Sequence, residues 1–347
     1  MNSENSMSID PPPPLAITMG CPVGIGPEII VKFFHDSFVD RKNLPAMAVI
    51  VIGNTNVLLK TAEELGMSEL NMQPWHPGDP VKSDVVSVFD ADDHPLDELS
   101  WGNPTLATAG AMIGYIEQGV QCIQQGAVSG MVTCPISKIS LQQAGSPFPG
   151  HTEMLASLTG SSRYRMMMAG RRLKVVLATI HEPLARVPSL LNIEEIQDCI
   201  AMTIDSLHHD FGCQNPKVAV AGLNPHCGEN GMFGSEEETC ITPAIAGYNG
   251  PGEISGPWPP DTVFYQAAAG AYDAVVAMYH DQGLIPFKLL HFKDGVNVTL
   301  GLPIVRTSVD HGTAYDIAGQ DLADPASLTA AVHMAADICS HRAGGRQ

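Results

Sequence analysis

Positive charge is scarce in this sequence. Its 18 lysines and arginines stand against 37 aspartates and glutamates, so the formal net charge of the 347 residues is −19. No run of basic residues appears, and this excludes nucleic-acid binding, which depends on clustered Lys and Arg at phosphates. A site for an anionic ligand must therefore concentrate a few positive charges locally, against the acidic field of the whole chain.

Three further features are missing. The eight cysteines form no C-x-x-C pair, which argues against a zinc ribbon and a disulfide scaffold and indicates free thiols in a reducing cytoplasm. No apolar run reaches the length of a transmembrane helix, so we expect no membrane contact. Residues 1–14 lack the basic and apolar regions of a signal peptide, and this polar, proline-rich segment predicts a disordered tail.

The remaining chain has the composition of a globular α/β protein. Hydrophobic residues make up 44% of the sequence, and its length suits two domains. Short continuous apolar segments alternate with segments of helical periodicity, which predicts a sheet covered by helices. The three glutamates at 236–238 indicate the start of a helix, since acidic side chains complement the positive end of the helix dipole.

Three short, β-branched segments are each followed by a histidine. These segments and their histidines are 173–180 with His181, 217–223 with His226, and 272–279 with His280. In an open α/β sheet, ligands bind at the carboxyl ends of the strands, and three imidazoles there form an open metal site. A single histidine is more often structural, and the long gaps mean that only the fold can bring the three together.

Residues 277–319 carry polar groups in an unusually apolar context. Burying such groups without partners is costly, so either each pairs with a neighbour or several face a charged ligand. The number of these groups favours a charged ligand. They are Lys288, Asn297, Arg306, Asp310 and His311.

Two loops have features of anion-binding turns. Residues 21–28 form a glycine-rich link between a strand and a helix, but Gly24 and Gly26 are followed by Ile29, which fails the dinucleotide fingerprint. A phosphate loop and a plain turn remain equally open there. His151 and Thr152 begin another helix, a natural cradle for an anion; a simple cap by Thr152 would leave His151 unexplained.

Several of the motifs are long and uncommon, and together they resemble one family. They extend from residue 17 to residue 319 and read TMGCPVGIGPEI, TCPISK, GHTEMLA, LATIHEPL, GLNPHCGENG, YHDQGLIPFK and GVNVTLGLPIVRTSVDHGTAYDIAG. On these motifs the chain is identified as a member of the 4-hydroxythreonine-4-phosphate dehydrogenase (PdxA) family of vitamin B6 biosynthesis.

The resemblance implies an architecture similar to that of isocitrate and isopropylmalate dehydrogenases. Two α/β/α lobes would flank a cleft, and a homodimer would have its active sites at the subunit interface. We expect residues 15–140 with 301–347 to form the first lobe. Residues 141–300 would form the second lobe and carry most of the metal and substrate residues.

The resemblance also implies the roles of individual residues. It assigns metal binding to His181, His226 and His280, with one ligand coming from the other subunit, so that the His280 segment would cross the interface. Lys288 and Asp281 are the candidates for the proton acceptor. Substrate contacts fall on His151, Thr152, Lys288, Asn297 and Arg306.

The implied reaction is oxidation of a secondary alcohol beside a phosphorylated carbon, followed by loss of CO2 from the 3-oxo acid. Hydride would pass to NAD or NADP, whose binding residues the motifs do not identify. A divalent metal such as zinc, magnesium, cobalt or manganese would assist. The expected substrate is 4-phosphohydroxy-L-threonine, and the pathway is pyridoxal phosphate biosynthesis.

Two departures from the family pattern keep the substrate open. Cys21 stands where the family usually has Asp, and Cys134 stands where it usually has Ala. The alternative is a paralogue that oxidises D-threonate or D-erythronate 4-phosphate. A metal-dependent hydrolase or a non-catalytic binding protein are lesser alternatives, and NAD(P) binding separates both from a dehydrogenase.

Overall fold

The computed structural model describes residues 12–39, 45–90, 96 and 99–345. Most of the tail predicted over residues 1–14 lies outside them. At its end, the carbonyl oxygen of Pro13 accepts a hydrogen bond from the Ser129 hydroxyl (2.7 Å), and that of Pro14 accepts one from the Ser129 N–H (2.8 Å). Among the described residues, no helix is long and apolar enough to cross a membrane.

The strands of the described residues join in a single twelve-stranded sheet. In chain order they are β1 Leu15–Thr18, β2 Val49–Gly53, β3 Met72–Pro74, β4 Val86–Asp90, β5 Gly130–Thr133, β6 Arg165–Ala169, β7 Lys174–Leu177, β8 Lys217–Ala221, β9 Glu253–Trp258, β10 Ala274–Ala277, β11 Val296–Leu300 and β12 Arg306–Val309. Across the sheet their order is β3-β4-β2-β1-β5-β12-β11-β6-β7-β10-β8-β9.

Two parallel halves meet at an antiparallel centre. In one half, the six neighbouring strands β3, β4, β2, β1, β5 and β12 run parallel to one another. In the other half, β7, β10, β8 and β9 run parallel to one another. Between the halves, β11 and β6 pair antiparallel with each other and with their outer neighbours. The predicted α/β class is confirmed, while the division into lobes at residues 140 and 300 stays a prediction.

Helices cover the sheet and bury its strands. They are α1 Gly26–Val39, α2 Thr55–Glu64, α3 Leu106–Gln124, α4 Lys138–Gln143, α5 His151–Leu158, α6 Val187–Leu190, α7 Ile193–His209, α8 Thr242–Ala246, α9 Pro260–Ala268, α10 His280–His291 and α11 Ala326–Gly344. Short 3₁₀ turns lie at Leu184–Arg186 and Pro225–Gly228, and a π-helical turn spans Glu237–Ile241. Strands β1, β5 and β10 are fully buried, as expected for continuous apolar segments in a covered sheet.

The three histidine-bearing segments lie on neighbouring strands. Their strands β7, β10 and β8 are adjacent and parallel, so their carboxyl ends share one edge of the sheet. Each strand is shorter than predicted, because its last residues leave the ladder and form the connection that carries the histidine.

The glycine-rich turn before α1 is explained by packing. A Cβ atom at Gly26 would collide with the carbonyl oxygen of Met19, and one at Gly24 would lie 3.1 Å from the carbonyl oxygen of Thr313. Between them, the Ile25 N–H donates to the same Thr313 oxygen at 3.1 Å. These close backbone approaches require glycine without any ligand.

Candidate active site

A cavity of about 920 Å³ lies where the two halves of the sheet meet. Its walls come from the ends of β5 and β12, the start of α5, and the chain that follows β7. Four of the five predicted substrate residues line it, together with one predicted metal ligand; these are His151, Thr152, Asn297, Arg306 and His181.

Arg306 brings a buried positive charge to this cavity. Its side chain is only 3% exposed, and burial lowers the pKa of its guanidinium to about 10, so the group stays charged at neutral pH. Its Nε and Nη2 donate to the hydroxyl of Thr133 (3.2 and 2.8 Å), and its Nη1 donates to that of Thr299 (2.9 Å). Within the described ranges, no carboxylate forms an ion pair with it.

Sequence reasoning missed these two threonines. Thr133 ends β5 and pairs in register with Ser308, two residues along the strand from Arg306. Thr299 lies on β11, which runs antiparallel to β12 and so brings its hydroxyl beside the same guanidinium. Cross-strand neighbours share a face of a sheet, but the pairing of these strands is visible only in the fold.

His151 is the first residue of α5, and its imidazole is neutral. Burial and the neighbouring Arg306 charge hold its pKa well below 6.5. Its Nε2 atom is buried and has no hydrogen-bond partner among the described atoms. The N-cap residue is Gly150, so no side chain caps the helix, and Thr152 lies inside the first turn. This end of α5 is free to meet an anion with backbone N–H groups.

The Lys288 ammonium is ion-paired to a carboxylate of the cavity wall. Lys288 is not among the described lining residues, but its Nζ lies 3.2 Å from Oδ2 of Asp310, which lines the cavity with His311. Burial raises the pKa of Asp310, and the Lys288 charge opposes that shift. Burial also lowers the pKa of His311. Asn297 lies beside Ser308 in the ladder between β11 and β12.

Two of the three predicted metal ligands come together. The rings of His181 and His280 have centroids 5.6 Å apart. Burial, Lys138 and His280 lower the pKa of His181, which favours its neutral, metal-binding form. His280 begins α10, and its Nδ1 donates to Oδ1 of Asp281 at 2.7 Å, leaving Nε2 for a metal.

His226 does not join this pair within one chain. It lies exposed in the 3₁₀ turn after β8, beside the ring of Phe233 (6.3 Å between centroids). In the part of the chain that the structure describes, no three His, Cys, Asp or Glu side chains are placed to hold a metal ion. The assignment of His181, His226 and His280 to one metal site stays a prediction.

The two cysteine departures add no charge to the site. Cys134 is fully buried and lines the cavity, and burial raises the pKa of its thiol. Cys21 is buried beneath the Tyr315 hydroxyl, which donates to its sulfur at 3.3 Å, and burial raises its thiol pKa as well. Burial and Cys21 together raise the pKa of Tyr315 to about 12. Cys21 is not among the described residues that line the cavity.

Comparison with known proteins gives one consistent result. The family model for the pyridoxal phosphate biosynthetic protein PdxA matches residues 45–335. A curated relative from Desulfosudis oleivorans is 54% identical over 332 residues, covering 95% of this chain and 97% of its own length. One from Desulforapulum autotrophicum is 50% identical, covering 93% and 95%. Both are named 4-hydroxythreonine-4-phosphate dehydrogenase.

The solved structures agree with the sequence relatives. A crystal structure of 4-hydroxythreonine-4-phosphate dehydrogenase from Klebsiella pneumoniae superimposes with a TM-score of 0.84 and 37% identity, covering 94% of this chain and 99% of that one. The family model, the curated relatives and the shared fold together show that the chain belongs to the PdxA family.

Proposed function

We propose that this chain is an NAD(P)-dependent dehydrogenase that oxidises 4-phosphohydroxy-L-threonine, with decarboxylation of the product, in pyridoxal phosphate biosynthesis. The observation that carries this proposal is Arg306, a buried guanidinium at a cavity wall whose hydrogen-bond partners among the described residues are threonine hydroxyls. A bound phosphate would neutralise the charge of this guanidinium. The family membership supports the reaction class.

The phosphate would lie between Arg306 and the start of α5. There the guanidinium, the free first-turn N–H groups and the neutral imidazole of His151 all offer donors to one anion. Thr152 adds a hydroxyl in the same turn. Asn297, across the cavity wall, would orient the polar end of the substrate by hydrogen bonding.

His181 and His280 would hold a divalent metal with His226. When bound, zinc, magnesium, cobalt or manganese would lower the pKa of the substrate hydroxyl, and NAD or NADP would accept a hydride from the carbon that bears this hydroxyl. Asp281 fixes the His280 imidazole through the 2.7 Å hydrogen bond, so we assign it to orientation. Lys288 remains the candidate to accept the hydroxyl proton before the 3-oxo acid loses CO2.

A homodimer would supply the third metal ligand. One face of α10, continued by its C-cap residue, exposes three large apolar side chains at helical spacing: Ile285 (69%), Leu289 (85%) and Phe292 (78%). An apolar patch of this kind marks a protein interface. Because α10 begins at His280, pairing through this face would bring the metal ligands of two chains close together.

A reducing, cytoplasmic location fits the thiols. All eight cysteines are free in the structure, and six of them are buried. Proteins of oxidising compartments use cysteine mainly in disulfides. We propose that the enzyme works where its thiols stay reduced.

The test is a substrate panel followed at 340 nm. Purified protein would receive NAD or NADP with 4-phosphohydroxy-L-threonine, D-threonate 4-phosphate or D-erythronate 4-phosphate, each with and without a chelator. The proposal predicts chelator-sensitive reduction with the amino acid. Reduction of NAD(P) with the sugar-acid phosphates alone would assign one of them as the substrate instead. No reduction with any of the three compounds would refute the dehydrogenase function.

A further inference from the structure

The loop that carries His226 holds an unfavourable backbone. Four non-glycine residues in it have positive φ angles, which L-residues adopt at a cost in free energy. They are His226 (52°), Cys227 (54°), Glu229 (44°) and Asn230 (56°). Such a conformation persists only where the surrounding contacts enforce it.

Glu237 supplies those contacts. Its side chain is 3% exposed, unlike that of its exposed neighbour Glu238. Oε1 accepts hydrogen bonds from the N–H groups of Leu223 (2.8 Å) and Asn224 (2.7 Å). Oε2 accepts a third from Nδ2 of Asn224 (3.0 Å). The carboxylate therefore fastens the two residues from which the His226 turn departs.

The pocket of this carboxylate is closed by two glycines. A Cβ atom at Gly222 would lie 3.1 Å from Oε1 of Glu237, and one at Gly228 would lie 2.8 Å from Oε2. Gly228 lies between the strained residues Cys227 and Glu229, so the start and the centre of the His226 turn both pack against one carboxylate. At position 237, a longer side chain would not fit this space and a shorter one would not fill it.

A second buried side chain fixes the same turn to the neighbouring strand. Gln282 is 8% exposed; its Nε2 donates to the carbonyl oxygen of Gly222 (2.7 Å), and its Oε1 accepts from the N–H of Met278 (2.7 Å). Met278 lies between β10 and His280. The start of the His226 turn is thus joined directly to the segment that presents His280.

We propose that Glu237 is a positioning residue for metal binding: through its three hydrogen bonds it holds the strained turn in the conformation that presents the His226 imidazole. The proposal rests on the proposed metal role of His226. Removing groups that orient a metal ligand commonly weakens metal affinity 10- to 100-fold. Glu237→Gln keeps the volume but turns one acceptor into a donor against the N–H groups of the turn.

Titration with Co²⁺ alone tests this in the full-length protein. The visible absorption of bound Co²⁺ reports both the affinity and the ligand geometry, and Glu238→Gln is the matched control on the same turn. We expect Glu237→Gln to weaken Co²⁺ binding about tenfold, to alter the absorption spectrum, and to speed amide hydrogen exchange in residues 222–234. Glu238→Gln should match the wild type in all three.

Two further variants separate the possible failures. If Glu237→Gln does not fold, Glu237→Asp, which keeps the charge but shortens the side chain, should show the same changes. Affinity and spectrum equal to those of Glu238→Gln would overturn the inference. His226→Ala tests the premise. Unchanged Co²⁺ binding in this variant would refute the metal role of His226. If His226→Ala loses Co²⁺ binding while Glu237→Gln binds Co²⁺ like the wild type, only the role of Glu237 is refuted.

Discussion

Arg306 is the residue on which the account of substrate binding depends most. A buried cation without an ion-paired carboxylate is costly. Among the described residues, two threonine hydroxyls accept three hydrogen bonds from the guanidinium, and the Glu153 carboxylate offsets part of its charge from a greater distance. An anion entering the cavity gains from that charge in a low-dielectric setting. The chain as a whole is strongly acidic, so we expect this local charge to determine where a phosphate binds.

Thr133 should matter more than Thr299 for the phosphorylated substrate. The Thr133 hydroxyl accepts two hydrogen bonds from Arg306, and the Thr299 hydroxyl accepts one. Hydrogen bonds to charged groups contribute about 1.5–3 kcal/mol, and about 1.4 kcal/mol is tenfold in affinity. Thr133→Val should raise KM for the substrate about tenfold and Thr299→Val less, with KM for NAD(P) unchanged. Equal changes in both KM values would mean that Arg306 serves the cofactor.

His151 should make the metal-free protein less stable in acid. Its pKa in the folded state is well below 6.5, so as the pH falls below about 6.5 the unfolded chain takes up a proton that the folded chain does not. This contribution is present above that pH and is lost below it, by at most about 1.4 kcal/mol per pH unit.

The control for this pH dependence is His151→Gln, which removes the titrating group. Urea unfolding between pH 7.5 and pH 5.5 should show the wild type losing more free energy of unfolding than this variant does. Parallel losses in the two proteins would mean that His151 is not held neutral by the fold.

At single residues, the sequence predicted the ligand contacts that lie in motifs and missed the residues that strand pairing brings to the site. His151, Thr152, Asn297 and Arg306 were predicted as ligand contacts, and all four line the cavity. Thr133 and Thr299 became visible only through the register of β5, β12 and β11. The run at 236–238 indicated the charged start of a helix, yet the middle glutamate turns inward and accepts hydrogen bonds from the part-buried N–H groups of Leu223 and Asn224.

Among the elements, the turn into α1 depends on close backbone packing. Replacing Gly26 by Ala would place a methyl group against the carbonyl oxygen of Met19, and overpacking of this kind costs about 1–3 kcal/mol. Gly114, inside α3, has open space within 4 Å of the point that an alanine methyl group would occupy. Gly114→Ala should therefore stabilise the protein by about 0.5–1 kcal/mol, since alanine favours helix.

Urea unfolding midpoints of the two glycine variants would check this contrast. The midpoint of Gly26→Ala should fall and that of Gly114→Ala should rise. A harmless Gly26→Ala would show that the turn can shift, and the glycine-rich segment would then need another explanation, such as contact with a ligand.

Strand existence followed from the sequence, but strand direction did not. Continuous apolar segments predicted buried strands at the positions of β7, β8 and β10. Apolar periodicity is the same for parallel and antiparallel strands, so it gave no sign that β6 and β11 reverse direction at the centre of the sheet. That reversal places Asn297 at the cavity and the Thr299 hydroxyl beside the Arg306 guanidinium.

For the whole molecule, dimerisation should depend on the exposed face of α10. Leu289→Glu would place a charge at its most exposed apolar position, whereas Leu106→Glu makes the same change at a similarly exposed leucine (68%) on α3. Light scattering after gel filtration should give a dimer for the wild type and for Leu106→Glu, and a monomer for Leu289→Glu. A Leu289→Glu dimer would place the interface elsewhere.

The most direct test compares 4-phosphohydroxy-L-threonine with its unphosphorylated form, 4-hydroxy-L-threonine, in one assay. NAD(P)H formation would be followed at 340 nm with metal present and again after chelation. We expect turnover of the phosphorylated compound only, lost on chelation and restored by added metal. Equal turnover of both compounds would contradict the phosphate site at Arg306, and turnover insensitive to the chelator would contradict the metal site at the histidines.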